Sequence, residues 1–289
     1  MTAAVTMPDG RTLAYEEYGD PEGTPVLSFH GGLSSRLDAE PAHNAALGLG
    51  VRVISPDRPG MGLSTYQPGR TLLDWPRDVT RLVDTLGIDR FAVMGWSCGG
   101  AYAAACGATM PERVTAIALL SSAVPLDVFG TTRGLARDDR LLLWLVRHLA
   151  PVASLVMWLA IERASDRRLY EEIRRTFPAP DRAALEERGS PHTAVAFVKE
   201  SMRQGTRGCL QDYRIFGAPW GFALEDVAVP VHMWEGTEDH TGPPGYNQLL
   251  LERLPDARLT RVPGEGHVSL LGHQAPAILA ALLDPEART

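Results

Sequence analysis

The chain has 289 residues, enough to bury a sizeable core in one large domain, with or without an insertion. Apolar residues at 45% and charged residues at 22% are ordinary for a globular protein, and a net charge of -7 argues against nucleic acid or an anionic membrane surface as a partner. Only Cys98, Cys106 and Cys209 occur, without a C-x-x-C spacing, so neither a disulfide framework nor a zinc knuckle is implied.

The N-terminal stretch is charged and lacks the apolar core of a secretory signal, so a cytoplasmic location is expected. It reads as a hairpin: "AAVTM", a turn at Pro8-Asp9-Gly10, then "TLAYEEYG". Short apolar runs follow, each ending near Gly or Asp: "PVLSFHGG", "VRVISPD", "RFAVMGW" and "VTAIALLSS". Between them, Leu72 to Leu86 and Ala101 to Met110 carry helical spacing. Buried strands alternating with helices predict an α/β fold whose mostly parallel central sheet is flanked by helices.

Near Val124 the alternation stops, and about a hundred residues read as helical with interspersed acids and bases. One part, "LLLWLVRHLAPVASLVMWLAI" (Leu141 to Ile161), is long enough to raise the question of a membrane span. Arg147, His148 and Pro151 sit in its middle, where charge is costly in a bilayer, so two amphipathic helices meeting at Pro151 are expected and integral membrane association is not. The strand pattern resumes at "VPVHMWEG", followed by a helix over Tyr246 to Leu254, a strand "ARLTRV" and a last helix from Gln274 to Leu283. The expected organisation is a core in two parts, residues 1–124 and 227–289, around a helical insertion at 125–226.

Gly95-Trp96-Ser97-Cys98-Gly99 follows an apolar strand and opens an alanine-rich helix. A tight strand-to-helix turn needs small residues two before and two after its apex, because a side chain there meets the neighbouring strand and helix. Centred on Ser97, those positions are Gly95 and Gly99; centred on Cys98, one of them is Trp96. Ser97 is therefore the expected nucleophile. A serine needs a base to take its proton and a carboxylate to orient that base.

In four landmarks the chain resembles the α/β-hydrolase superfamily, in a serine-nucleophile, esterase- or iminopeptidase-like branch with a helical cap inserted in the core. They are "HGG" at His30 to Gly32, "DRPGMGLS" at Asp57 to Ser64, "GWSCGG", and the late pair "GTEDH" and "GEGH". The resemblance implies His267, on the loop after the last strand, as the base, and Asp239 as its acid, with Glu235 and Glu238 as competitors. It implies an oxyanion hole from the backbone N–H groups of Cys98 and Gly32, with Leu33 as an alternative to Gly32. Asp57 and Arg58 are expected to organise their turn, and His30 to bond within its loop.

Neither a metal nor a cofactor is implied, since no ligand cluster and no glycine-rich phosphate loop occur. The expected activity is hydrolysis of a carboxylic ester of a small or medium apolar substrate. The rivals are an iminopeptidase or amidase, with Glu162, Glu171, Glu172, Glu186, Glu187 or Glu200 recognising an amine, and a ligand-sensing or non-hydrolytic protein on the same fold. Trp96, Trp144 and Trp158 are candidate pocket residues. The oligomeric state stays open, a homodimer included.

Overall fold

The computed structural model describes residues 2–126, 135, 137–241 and 246–284. Residues 127–134 and 136 of the expected insertion, and 242–245 and 285–289 of the expected second core part, lie outside the described residues. The N-terminal hairpin forms as expected: β1 (Ala3–Thr6) pairs antiparallel with β2 (Thr12–Gly19) around a turn in which Gly10 has φ 85°. The remaining strands are β3 (Thr24–Phe29), β4 (Val51–Pro56), β5 (Phe91–Trp96), β6 (Val114–Leu120), β7 (Val231–Gly236) and β8 (Ala257–Val262). The sheet order is β1-β2-β4-β3-β5-β6-β7-β8, antiparallel through β2/β4 and parallel from there on. All six residues of β5 are buried, as a central parallel strand requires, whereas the edge strand β8 has no fully buried residue.

Helices cover both faces of the sheet. The alanine-rich helix Gly99–Thr109 packs on β5 and β6, and nine of its residues are buried. Helix Trp75–Thr85 follows a short turn at Leu72–Asp74, where Thr71 N–H donates to Asp74 Oδ2 at 2.8 Å. The last helix runs from Ser269 to Leu283, five residues earlier than the expected start at Gln274. Proline is favoured in a first turn, yet Pro276 sits inside this helix. Local sequence hides the true start because its cap comes from elsewhere: Asp181 Oδ1 accepts from Val268 N–H at 2.8 Å and Ser269 N–H at 2.9 Å.

Between β6 and β7 the described chain is helical: Arg137–His148, Ala150–Met157, Asp166–Thr176, Ala179–Glu187, Pro191–Ser201 and Arg207–Phe216, with a π-helical turn at Trp158–Glu162. The first two break at Leu149 (φ -139°, ψ 52°), with Pro151 in the first turn of the second. Among the described residues, no helix is long and apolar enough to cross a membrane.

Buried charges tie this helical segment to the loops at the carboxyl ends of the strands. Asp212, on helix Arg207–Phe216, is 1% exposed; it accepts from Arg58 Nε at 2.7 Å, from Tyr102 Oη at 2.8 Å, and from Arg70. Burial raises the pKa of Asp212, but the charges of Arg58 and Arg70 outweigh it and hold the carboxyl far below the usual range. Arg58, itself fully buried, donates to the carbonyl of His30 and, at 2.7 Å, to that of Gly31. Arg36 bridges Asp57 at 2.8 Å and Glu200, from helix Pro191–Ser201, at 2.7 Å. As expected, Asp57 and Arg58 organise their turn, since Asp57 also accepts from Leu63 N–H at 3.0 Å. Asp212→Ala leaves two buried guanidinium groups without their carboxylate and should cost about 3–5 kcal/mol in urea unfolding. A loss below about 1 kcal/mol would contradict this account of the network.

Candidate active site

Only Ser97 and Cys98 separate β5 from helix Gly99–Thr109. A Cβ on Gly95 would stand 2.5 Å from Gly99 O, and one on Gly99 would stand 1.9 Å from Phe29 O. Strand and helix therefore approach more closely than any side chain allows. The chain turns by placing Ser97 in the left-handed region at φ 52°, while Cys98 is already helical at φ -57°. Backbone bonds hold the strained residue: Ser97 N–H donates to Leu120 O at 2.8 Å, and Ala123 N–H donates to Ser97 O at 2.9 Å. The apex is thus Ser97, not Cys98.

Asp239 follows the end of β7 by three residues, and His267 follows the end of β8 by five. Their side chains meet, with His267 Nδ1 2.8 Å from Asp239 Oδ2 and 2.9 Å from Thr241 Oγ1. Thr241 also donates to Asp239 Oδ1 at 2.6 Å. Burial raises the pKa of Asp239, but the charge of His267 and the hydrogen bonds from His267 and Thr241 outweigh it, holding the carboxyl far below the usual range. An ionised Asp239 keeps the imidazole proton on Nδ1 and leaves the lone pair on Nε2. Of the competitors, Glu235 pairs with Arg261 at 3.0 Å and Glu238 is exposed. Trp96 braces the histidine, donating from Nε1 to His267 O at 2.9 Å with the two rings 5.2 Å apart.

On the facing loop, Gly31 N–H donates to Asp38 Oδ2 at 3.0 Å, and Gly31 O accepts from Arg58 at 2.7 Å and from His30 Nδ1 at 2.9 Å. The described peptide bonds include no cis bond, so fixing the Gly31 carbonyl toward Arg58 turns the Gly32 N–H the opposite way. Gly32 abuts Cys98: a Cβ on it would lie 2.8 Å from Sγ. Both ring nitrogens of His30 bond within this region, Nε2 accepting from Arg58 N–H at 3.1 Å. Burial, with the charge of Arg58, holds the His30 imidazole well below its ordinary pKa.

Between these loops lies a cavity of about 420 Å³. Gly32, Leu33, Trp96, Ser97, Cys98, Asp239 and His267 all border it. Ile161, Ile173, Phe177, Leu185, Phe197 and Phe216 of the helical segment close it with apolar surface. Among the described lining residues there is no lysine or arginine, and the acids are Asp239 and Glu235. The described non-glycine residues with positive φ are Leu33, Ser97 and Ser121, and all three border this cavity, where the fold stores its strain. Among the described residues, no three His, Cys, Asp or Glu side chains gather as a metal site needs.

Two expected pocket residues are corrected. Trp144 is 52% exposed and Trp158 is 38% exposed, and neither borders the cavity. The helices that carry them bury other faces, with Leu143 and Ile161 turned inward, so the tryptophans join an outer surface where Arg163 stacks 5.3 Å over Trp158. Thr241, Asp38 and Asp181 escaped the sequence reading. Thr241 lies in a loop, Asp38 in a 3-10 turn and Asp181 on a helix where it resembles a solvated acid; His267, Gly31 and the amides from His267 onward, with which they bond, lie 26, 7 and 86 or more residues away.

Asp38 is 2% exposed, and burial pushes its carboxyl up to about 6 despite the bonds from Gly31 N–H and Ser34 Oγ. A folded pKa above the ordinary 3.8 means a stability contribution that is present below about pH 4 and lost as pH rises through about 6. Asp38→Asn, which cannot ionise, should gain roughly 1–3 kcal/mol on the parent protein between about pH 4 and pH 7.5 in urea unfolding. A pH-independent difference between the two would contradict the shift.

Comparison with known proteins agrees with this architecture. Residues 24–274 match the model of the alpha/beta hydrolase fold family. A pimeloyl-[acyl-carrier protein] methyl ester esterase from Aromatoleum aromaticum is 30% identical over 255 residues, covering 84% of this chain and 90% of that one. A bifunctional esterase/perhydrolase from Acinetobacter calcoaceticus is 36% identical over 123 residues, 42% of this chain and 44% of that one. The chain thus spans less than half the length of the first curated relatives it matches, 39% and 44%. A bromoperoxidase structure from Bacillus anthracis superposes with a TM-score of 0.74 at 22% identity, covering 99% of this chain and 100% of that one. With a family model matched over most of its length, the chain belongs to the alpha/beta hydrolase fold family.

Proposed function

We propose that the protein is a serine hydrolase of carboxylic esters with a small or medium apolar acyl or alcohol part, and that residues 125–226 act as its cap. The observation that carries this reading is the convergence of a strained Ser97 and the Asp239–His267 pair on one apolar cavity of about 420 Å³. His267 Nε2 takes the hydroxyl proton as Ser97 Oγ attacks the ester carbonyl, and the resulting oxyanion lies between the N–H groups of Gly32 and Cys98. Collapse expels the alcohol, which leaves with the proton from His267, and the acyl group stays on Ser97. Water, deprotonated by His267, then attacks the acyl-enzyme and releases the acid. Asp239 stays ionised throughout and stabilises the imidazolium.

An amine-recognising peptidase fits less well. Glu162, Glu171, Glu172, Glu186, Glu187 and Glu200 do not border the cavity, and Glu186, Glu187 and Glu200 pair with Arg174, His273 and Arg36. The 30% identical relative is an esterase by name, which supports ester chemistry here.

A fluorophosphonate should add one phosphonyl group to Ser97, seen by intact mass and peptide mapping, and none to Ser97→Ala. No adduct on folded protein would overturn the reading. Across p-nitrophenyl esters of rising acyl length, Phe197→Ala should shift the relative kcat/KM values, because Phe197 borders the cavity and packs on Trp96 at 6.3 Å. Trp158→Ala should leave them unchanged; a shift with Trp158→Ala alone would contradict the cavity assigned here.

A further inference from the structure

We propose that Asp181, carried by the helical segment, is a positioning residue for the base: it locks the main chain of His267 and makes the placement of the imidazole depend on the segment that closes the cavity. The inference rests on the reading of His267 as the base. Asp181 lies on helix Ala179–Glu187 and is fully buried at 0% exposure. Its Oδ2 accepts from His267 N–H at 3.0 Å, and its Oδ1 accepts from Val268 N–H at 2.8 Å and Ser269 N–H at 2.9 Å. Three consecutive amides at the start of helix Ser269–Leu283 thus converge on one carboxylate from 86 to 88 residues away.

The arrangement is charge-assisted twice over. A carboxylate bonds amides about twice as strongly as a neutral acceptor, and it sits at the positive end of the helix dipole. The other end of the His267 peptide is tied as well, since His267 O accepts from Trp96 Nε1 at 2.9 Å. Both main-chain polar groups of His267 are therefore held by side chains, one from the residue before Ser97 and one from the helical segment. Gly266 makes room for the lock: a Cβ there would lie 2.4 Å from Asp181 Oδ1. A displacement of about 1 Å in a catalytic group can cost on the order of a hundredfold in rate, so a lock at this point governs turnover more than binding.

Asp181→Asn preserves volume and one acceptor oxygen but turns an amide NH₂ toward the Val268 and Ser269 amides or toward His267 N–H. Gly266→Ala leaves Asp181 in place chemically and pushes its carboxylate off the amides. In each, kcat for a p-nitrophenyl ester should fall about 10- to 100-fold with KM changed less than about twofold. The double variant should be no slower than the slower single one, since both break the same contact. The hydrogen-bonded Nδ1 proton of His267, assigned in the proton NMR spectrum by its loss in His267→Ala, should shift or broaden in both single variants.

Wild-type kcat with an unmoved Nδ1 signal in either folded variant would overturn the proposal, and so would losses that multiply in the double variant. If Asp181→Asn does not fold, Gly266→Ala decides. If the parent protein neither turns over esters nor reacts with a fluorophosphonate, the serine-hydrolase reading fails, and the Nδ1 signal still decides whether Asp181 positions His267.

Discussion

The step from β5 into its helix has no room for a Cβ at Gly95, against the helix, or at Gly99, against the end of β3, and this leaves the residue between them one way to turn. That contact places Ser97 at φ 52°, a conformation a serine adopts only when its surroundings enforce it. The rest of the site is arranged around this point. The parallel order of β3, β5, β6, β7 and β8 brings their carboxyl-end loops to one edge of the sheet, so Gly32, Ser97, Asp239 and His267 converge although up to 235 residues separate them. Ligand sites gather at such loops because the strands fix where each loop starts.

The helical segment between β6 and β7 does more than cover that edge. Asp212 holds Arg58, which fixes the carbonyls of His30 and Gly31; Glu200 meets Arg36 beside Asp57; Asp181 takes the amides at His267. Buried ion pairs of this kind contribute little net stability, because desolvation offsets most of the attraction. What they supply is geometry: losing one partner strands a buried charge, so alternative positions of the loops are costly. Three carboxylates of the segment thus reach the loops that carry the candidate site residues, while the apolar faces of its helices close the cavity.

Much of this was legible in the sequence. Apolar runs ending in Gly or Asp located the strands, and "ARLTRV" coincides with β8 residue for residue. The glycine spacing identified Ser97 as the turn apex, because the reason for the spacing is steric and local. Asp239 and His267 came as candidates from the resemblance, which implies an acid and a base on the loops after β7 and β8, and their side chains meet at 2.8 Å. The ties from Asp181, Asp212 and Glu200 were not legible, because a buried acid on an amphipathic helix resembles a solvated one until its distant partner is known. The early start of the last helix was missed for the same reason, since its cap lies on another helix. Trp144 and Trp158 were misplaced because an apolar helix with tryptophans does not reveal which face it buries; only packing, with Leu143 inward and Trp144 outward, decides.

In the proposed reaction a covalent acyl group passes through Ser97. The most direct measurement mixes excess protein with a p-nitrophenyl ester, quenches in acid within the first turnover, and determines intact mass and the modified peptide. The account predicts one acyl group on the peptide containing Ser97, formed as fast as p-nitrophenol is released and lost as the free acid appears. An acyl group carried by Cys98, or release of the alcohol with Ser97→Ala as fast as with the parent protein, would contradict it.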